Sequence, residues 1–298
     1  MKILTATYGP INHECDSYDC TTQVSNKVKN DSLIVRSNND LVGDPCPGHK
    51  KVLKIQILVN NEVKNFSVAE GQVFSYSEKG FKEKLGVFYS NNNDASIRPA
   101  ILESLNSIKR AAEGKADIYT CMWNSEPENP FVEYIAWTKT HSHLNQLLQI
   151  MQLLYVAKEA NSYKYVSFLE HDVLYPEGYF DYPSFNNGSV LTNMNYIGMN
   201  KNGYQQRGAN HEPFHQMTMR YDDAISHCES ILENALVTNS GMIEPQTIQR
   251  LQWKCINPAI HINHGKHFTS HFSIYRVGNE TDKHDYWGDH SKFKHLFK

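Results

Sequence analysis

Two hydrophobic rhythms run along this chain, and the change between them falls near residue 80. Before it, apolar and polar positions alternate over short stretches, the period of half-buried strands. Lys2–Tyr8 and Ser32–Arg36 read as strands, with a turn cluster at Gly43–Gly48 (GDPCPG). Val52–Val59 and Val63–Val68 alternate on either side of Asn60, Asn61 and Glu62, a hairpin signal, and Gln72–Tyr76 adds a further strand. No helical period of useful length interrupts them. Residues 1–78 therefore predict a small β-rich accessory domain, and polar Ser77–Lys84 reads as a linker.

From residue 84 to 298 apolar strand-length runs are interleaved with amphipathic stretches of helical period, the alternation of an α/β domain. Leu85–Tyr89 is a short apolar strand ending on SNNND (Ser90–Asp94). Ile97–Arg110 carries Ile97, Ile101, Leu105 and Ile108 at helical spacing. Asp117–Met122 is a second strand with a loop over Trp123–Pro130, and His141–Ala160 is the clearest helix. Tyr165–Leu169 has no polar alternation and predicts a central strand covered on both faces. Ser189–Met199 reads as an edge-like, antiparallel strand, Asn202–Pro213 as a mobile loop suited to a lid, and Met217–Leu236 as one helix.

Composition narrows the class. With 40% hydrophobic and 20% charged residues the chain is globular rather than disordered, and a net charge of −3 excludes a globally basic nucleic-acid binder while permitting a local basic groove. No signal peptide, membrane-crossing run or lipidation motif is found. Cys15, Cys20, Cys46, Cys121, Cys228 and Cys255 form no CxxC pair, which suits free thiols in a reducing cytoplasm; His13, Cys15 and Cys20 offer an unusual zinc spacing.

The chemistry concentrates where the central strand stops. Glu170, His171 and Asp172 follow the apolar run directly, at the strand edge where open α/β sheets bind ligands, and Pro176 and Gly178 then turn the chain away. If extended geometry persists, Glu170 and Asp172 point to the same side and reach one hard cation able to clamp a diphosphate. The alternative is a solvated strand end. Downstream, Ile260–His271 holds His261, His264, Lys266, His267 and His271.

The apolar strand with its acid-x-Asp ending, FLEHDVLYPEGYF, resembles the EHD form of the metal-binding motif in nucleotide-sugar glycosyltransferases of the GT-A fold. The resemblance implies an α/β, Rossmann-like mixed sheet preceded by the small all-β domain, a divalent metal (manganese or magnesium) and a donor that is a nucleotide sugar, with uridine diphosphate favoured. It implies metal ligands Asp172 and, from HINHGKHFTS, His264 with His267 as fallback; Glu170 falls on the ribose side or behind the metal. Tyr89, Ser90, Asn91, Asn92 and Asp117 would bind the donor, with Lys266 on its diphosphate. An inverting enzyme needs a general base, for which Asp222 or Asp223 is available; both equally suit the first turn of a helix, where the macrodipole favours acids. The Asn- and Lys-rich composition is reminiscent of bacteriophage proteins, which points to 5-hydroxymethylcytosine in duplex DNA as acceptor, in a host cytoplasm. A saccharide acceptor is the runner-up. A metal hydrolase built on His261, His264, His267 and Asp172 is disfavoured by histidine spacing that suits a turn, and a non-catalytic binding protein is the remaining class. The C-terminal lysines and aromatics, Lys283–Lys298, read as a phosphate contact or as a packed cover.

Overall fold

A computed structural model describes residues 1–10, 17–29, 32–77, 83–92, 94–140, 142–160, 163–206, 213–238, 249–263 and 280–297. The chain is mixed α/β and divides into two units, Met1–Phe81 with Tyr155–Ser162, and Lys82–Leu154 with Tyr163–Lys298. No described helix is long and apolar enough to cross a membrane.

The first unit holds β1 (Lys2–Pro10), β2 (Tyr18–Asp19), a five-residue helix α1 (Thr21–Ser25), β3 (Val28–Lys29), β4 (Ser32–Arg36), β5 (Lys51–Val59), β6 (Glu62–Ala69) and β7 (Val73–Ser77). They form sheets ordered β2-β1-β5-β6 and β3-β4-β7. The β5–β6 hairpin turns on Asn60 and Asn61, both at positive φ (50° and 64°), the backbone a tight two-residue hairpin needs and asparagine tolerates. Leu53, Ile55, Ile57 and Val59 supply the alternating inward face. Buried Lys51 is paired with Asp44 at 2.9 Å and Glu70 at 3.4 Å. Cys46 is disulfide-bonded, against the expectation of free thiols throughout; Cys20, Cys121, Cys228 and Cys255 are free and buried. His13 and Cys15 of the zinc spacing lie outside the described residues.

In the second unit come β8 (Lys84–Tyr89), α2 (Arg98–Ala112), β9 (Asp117–Met122), β10 (Val132–Ile135), the His143–Leu154 part of α3 (His143–Ala160), β11 (Tyr165–Glu170), β12 (Val173–Leu174), β13 (Ser189–Asn193), β14 (Tyr196–Asn200), β15 (Gly203–Gln205), β16 (Met217–Arg220), α4 (Tyr221–Thr238), β17 (Gln249–Trp253) and β18 (Ala259–Ile262). Seven of the strands make one sheet, ordered β10-β9-β8-β11-β16-β13-β17. β10, β9, β8 and β11 are mutually parallel; β16 is antiparallel to both neighbours, β11 and β13, and β17 is parallel to β13. One reversed strand therefore sits inside the sheet. β11 is buried along Tyr165–Leu169, as a strand with helices or loops over both faces must be. β8 lies so close to its neighbours that a Cβ on Gly86 would meet Ile118 Cδ1 at 2.5 Å and Leu169 Cδ1 at 2.7 Å.

A second sheet, β12-β18-β14-β15, starts directly after the end of β11. Two expectations are corrected here. Ser189–Met199 is two strands in different sheets, and β13 lies between β16 and β17 rather than at an edge. Met217–Arg220 is strand, not the opening of a helix: Met217, Thr218 and Met219 are buried between β11 and β13, where sheet pairing overrides the helix-forming tendency of methionine. α4 starts only at Tyr221. The C-terminal segment His290–Phe297 packs Phe293 and Leu296 into the cluster around Ile260 and Ile262, leaving Lys292 and Lys294 exposed.

Candidate functional site

The carboxyl edge of β8, β9 and β11 gathers the acidic motif. β11 ends at Glu170, His171–Asp172 form the turn, and β12 pairs at once with β18. The turn is fixed from two sides. Ser104 Oγ on α2 donates to the His171 carbonyl at 2.8 Å, and the Ile262 amide of β18 donates to the Asp172 carbonyl at 2.7 Å. The turn breaks extended geometry, so the two carboxylates take different partners.

Glu170 has a donor on each oxygen. Tyr89 at the end of β8 donates its hydroxyl to Oε1 at 2.6 Å, and His215 Nδ1 lies 3.0 Å from Oε2. Burial pushes the Glu170 carboxyl upward; the hydrogen bonds and charge of His215, with the Tyr89 hydroxyl, outweigh it, and the net value is below the usual carboxylate range. Tyr89 is held well above the ordinary phenol range by burial and by the nearby Glu170 charge, so it is a permanent donor. Asp172 is 5% exposed, and its Oδ2 stands 3.3 Å from His261 Nε2 on β18. The two pairs meet through their rings: His215 and His261 have centroids 4.7 Å apart at 62°. His215 comes from the turn Phe214–Gln216 that precedes β16, and its carbonyl accepts from Tyr179 Oη at 3.2 Å and Tyr175 Oη at 3.4 Å. Because β16 runs backwards, its beginning, not its end, reaches this edge. Among the described residues, no three or more His, Cys, Asp and Glu side chains stand as a group able to hold a metal ion.

Of the donor-binding residues expected from sequence, Tyr89 touches Glu170, and Ser90, Asn91 and Asn92 lie at the same edge. The Ser90 carbonyl accepts from Gln149 Nε2 at 2.8 Å, Asn91 Nδ2 donates to the Ser142 carbonyl at 3.2 Å, and Asn92 Oδ1 accepts from the Asp94 amide at 3.0 Å. Asp117 is not brought there: it opens β9 opposite Leu85, at the other edge, and its carboxylate accepts from Tyr163 Oη at 3.3 Å. Asp222 and Asp223 are also remote. Arg220 pairs with Tyr165 at the start of β11, so both acids lie about 16 Å, the length of that strand, from Glu170. Asp223 Oδ2 accepts from the Gly188 amide at 2.7 Å there, a structural role. His264, Lys266 and His267 lie outside the described residues.

The sequence reading missed His215 altogether and grouped His261 with Asp172 only in the disfavoured hydrolase alternative. His215 belongs to no motif; its one signal is a histidine two residues after Pro213 and just before Met217–Met219. No protein-family model matches the chain, and comparison with curated proteins finds no match.

Proposed function

We propose that the chain is a metal-dependent glycosyltransferase of the GT-A type, moving a sugar from a nucleotide-sugar donor, with uridine diphosphate as carrier, to a hydroxyl acceptor. The observation that carries this reading is the pairing of Asp172, at the end of the central parallel strand, with His261 from the second sheet. A carboxylate oxygen and an imidazole nitrogen 3.3 Å apart, buried at the ligand edge of a mixed sheet, fit a divalent cation such as manganese or magnesium. Asp172 and His261 would hold it. When bound, such an ion supplies positive charge to the departing diphosphate.

The chain's own residues account for the rest. Glu170 is occupied by Tyr89 and His215, so it orients neighbours instead of binding the ribose. Ser90–Asn92, at the end of β8, line the edge where a nucleoside lies in open α/β sheets. In the transfer the acceptor oxygen bonds to the anomeric carbon while the bond from that carbon to the diphosphate breaks, and the electron pair leaves with the diphosphate. Asp222 and Asp223, a strand length away, do not serve as base in this reading.

For the acceptor we favour 5-hydroxymethylcytosine in duplex DNA. Exposed Trp137 (67%), two residues past the carboxyl end of β10, and exposed Lys292 and Lys294 supply aromatic and cationic surface of the kind DNA contacts use. The test is release of nucleoside diphosphate from a panel of uridine-diphosphate sugars with hydroxymethylated DNA, plain DNA and oligosaccharides, at low and moderate salt. Transfer confined to the modified DNA and falling steeply with salt is expected, since each neutralised phosphate releases counterions. Activity on an oligosaccharide alone, with shallow salt dependence, would replace the DNA acceptor by a saccharide. Asp172→Asn should abolish turnover with an unchanged far-UV spectrum; normal turnover in that folded variant would sink the metal reading.

A further inference from the structure

The helix α3 lays a polar stripe against the ends of β8 and β9. Asn145, Gln149 and Gln152 share one face of it, and they are 1%, 1% and 5% exposed. Buried amides in folded proteins are nearly always paired. Gln152, the farthest from the start of the helix, conforms: Nε2 donates to the Ile135 carbonyl at 3.0 Å, and Oε1 accepts from Cys121 Sγ at 3.6 Å. The two nearer the carboxyl edge do not. Gln149 Nε2 donates to the Ser90 carbonyl at 2.8 Å and the Cys121 carbonyl at 3.4 Å, which fixes the amide and leaves Oε1 a buried acceptor with no partner. Asn145 Oδ1 accepts from Thr138 Oγ1, and its Nδ2 is a buried donor with no partner. Trp123, two residues past Cys121 and 8% exposed, adds a second such donor in Nε1. Solvent begins one residue away, since Asn124 and Leu144 are exposed.

We infer that Asn145, Gln149 and Trp123 read the imide edge of the nucleotide donor's base, uracil or thymine, and exclude cytosine and the purines. The inference rests on the nucleotide-sugar reading above and deepens it by naming the residues that select the base. Gln149 reaches from α3 to the sheet, so its amide stands between the helix that carries Asn145 and the strand end that carries Trp123. The order is therefore donor, acceptor, donor. An imide presents carbonyl, N–H, carbonyl, and each of its groups meets its complement. Cytosine and adenine bring a ring-nitrogen lone pair against Gln149 Oε1, and guanine brings an amino group against a donor. A few convergent polar groups at the ligand edge of an α/β sheet are what such selection needs. The cytosine mismatch also keeps the acceptor base proposed above out of this site.

The experiment is calorimetric titration of the full chain with UDP, dTDP, CDP, ADP and GDP at one fixed manganese(II) concentration, without acceptor. The diphosphate contribution then cancels in the ratio between bases. The tighter of UDP and dTDP, in either order, should bind about a hundredfold more strongly than CDP, ADP and GDP, because a mismatched base leaves buried polar groups unpaired. UDP methylated at N3, which caps the N–H opposite Gln149, should lose about a hundredfold too, in a test that leaves the protein untouched. Trp123→Phe and Asn145→Asp each remove one donor at nearly constant shape; in folded protein each should weaken UDP about tenfold and leave ADP unchanged. Equal affinity for UDP and CDP, tolerance of the N3 methyl group, unchanged UDP affinity in both folded variants, or no nucleotide binding would overturn the inference. If neither variant folds, the N3-methyl comparison decides it. Selective UDP binding in a protein that transfers no sugar would keep the base site and remove the transferase. Equal transfer from uridine and cytidine diphosphate sugars would do the reverse.

Discussion

Replacing Tyr89 by phenylalanine removes one oxygen from the site while keeping the ring that β8 packs into the core. The lost bond is 2.6 Å long and ends on an ionised carboxylate, the kind worth roughly 1.5–3 kcal/mol net. The Glu170 side chain is 21% exposed, so water recovers part of the loss. The expected cost is therefore at the low end, about 1.5 kcal/mol. Tyr179→Phe is the matched control: its hydroxyl donates to the neutral His215 carbonyl at 3.2 Å, and about 1 kcal/mol is expected. Urea unfolding followed by tryptophan fluorescence is the assay, because Trp123, Trp137, Trp253 and Trp287 all belong to the second unit. In a Glu170→Gln background the same Tyr89→Phe change should cost only about 0.5–1 kcal/mol, since the bond is then neutral. A cost below about 0.5 kcal/mol in the wild-type background, or the same cost in both, would refute the claim that Tyr89 serves an ionised Glu170.

Three further outcomes are expected. Asp222→Asn and Asp223→Asn should keep turnover at the wild-type level, with stability lowered by about 0.5–1 kcal/mol from the loss of charge at the start of α4; loss of turnover in either folded variant would contradict their placement at the far edge. In the first unit, the Lys51 hydrogen bond holds Asp44 below the usual carboxylate range; at Glu70, burial is outweighed by bonds from Tyr8 and Lys51, with the same net direction. Both folded values lie under the unfolded ones, so their stabilisation is complete above about pH 5 and lost as pH falls through the unfolded and then the folded values. Amide-exchange protection along β5, corrected for intrinsic rates, should drop over that range, and a flat profile or an unchanged one in Lys51→Ala would argue otherwise. Gly86→Ala should lower stability by about 1–3 kcal/mol through the Ile118 and Leu169 contacts, and an unshifted melting temperature would show that those side chains yield freely.

Much of the framework was legible because local pattern and tertiary role agree. Tyr165–Leu169 is apolar without alternation, and it is the central strand; the Asn60–Asn61 turn between alternating runs is a hairpin. β16 was not legible. Its four residues, MTMR, run into a helical sequence without a break, and only burial between β11 and β13 makes them strand. That one misreading hid His215, because a search of strand ends looks downstream and a reversed strand delivers its upstream residue. Glu170 and Asp172 stood out as a pair, yet their partners come from chain segments 45 and 89 residues away, a separation no local pattern records.

Those separations also bear on the order in which the molecule forms. Tyr89 meets Glu170 across 81 residues, His215 across 45, and His261 meets Asp172 across 89. Closing such loops has an entropic cost that rises only slowly with length, about 0.6 kcal/mol per doubling, but it must be met before any of the polar contacts can compensate it. The β5–β6 hairpin needs no such closure. The paired carboxylates and histidines therefore assemble only after β8, β11, β16 and β18 have all docked. Partly folded chains carry the acidic motif without the His215 and His261 imidazoles beside it, so a nascent or damaged copy of this protein lacks both carboxylate–histidine pairs.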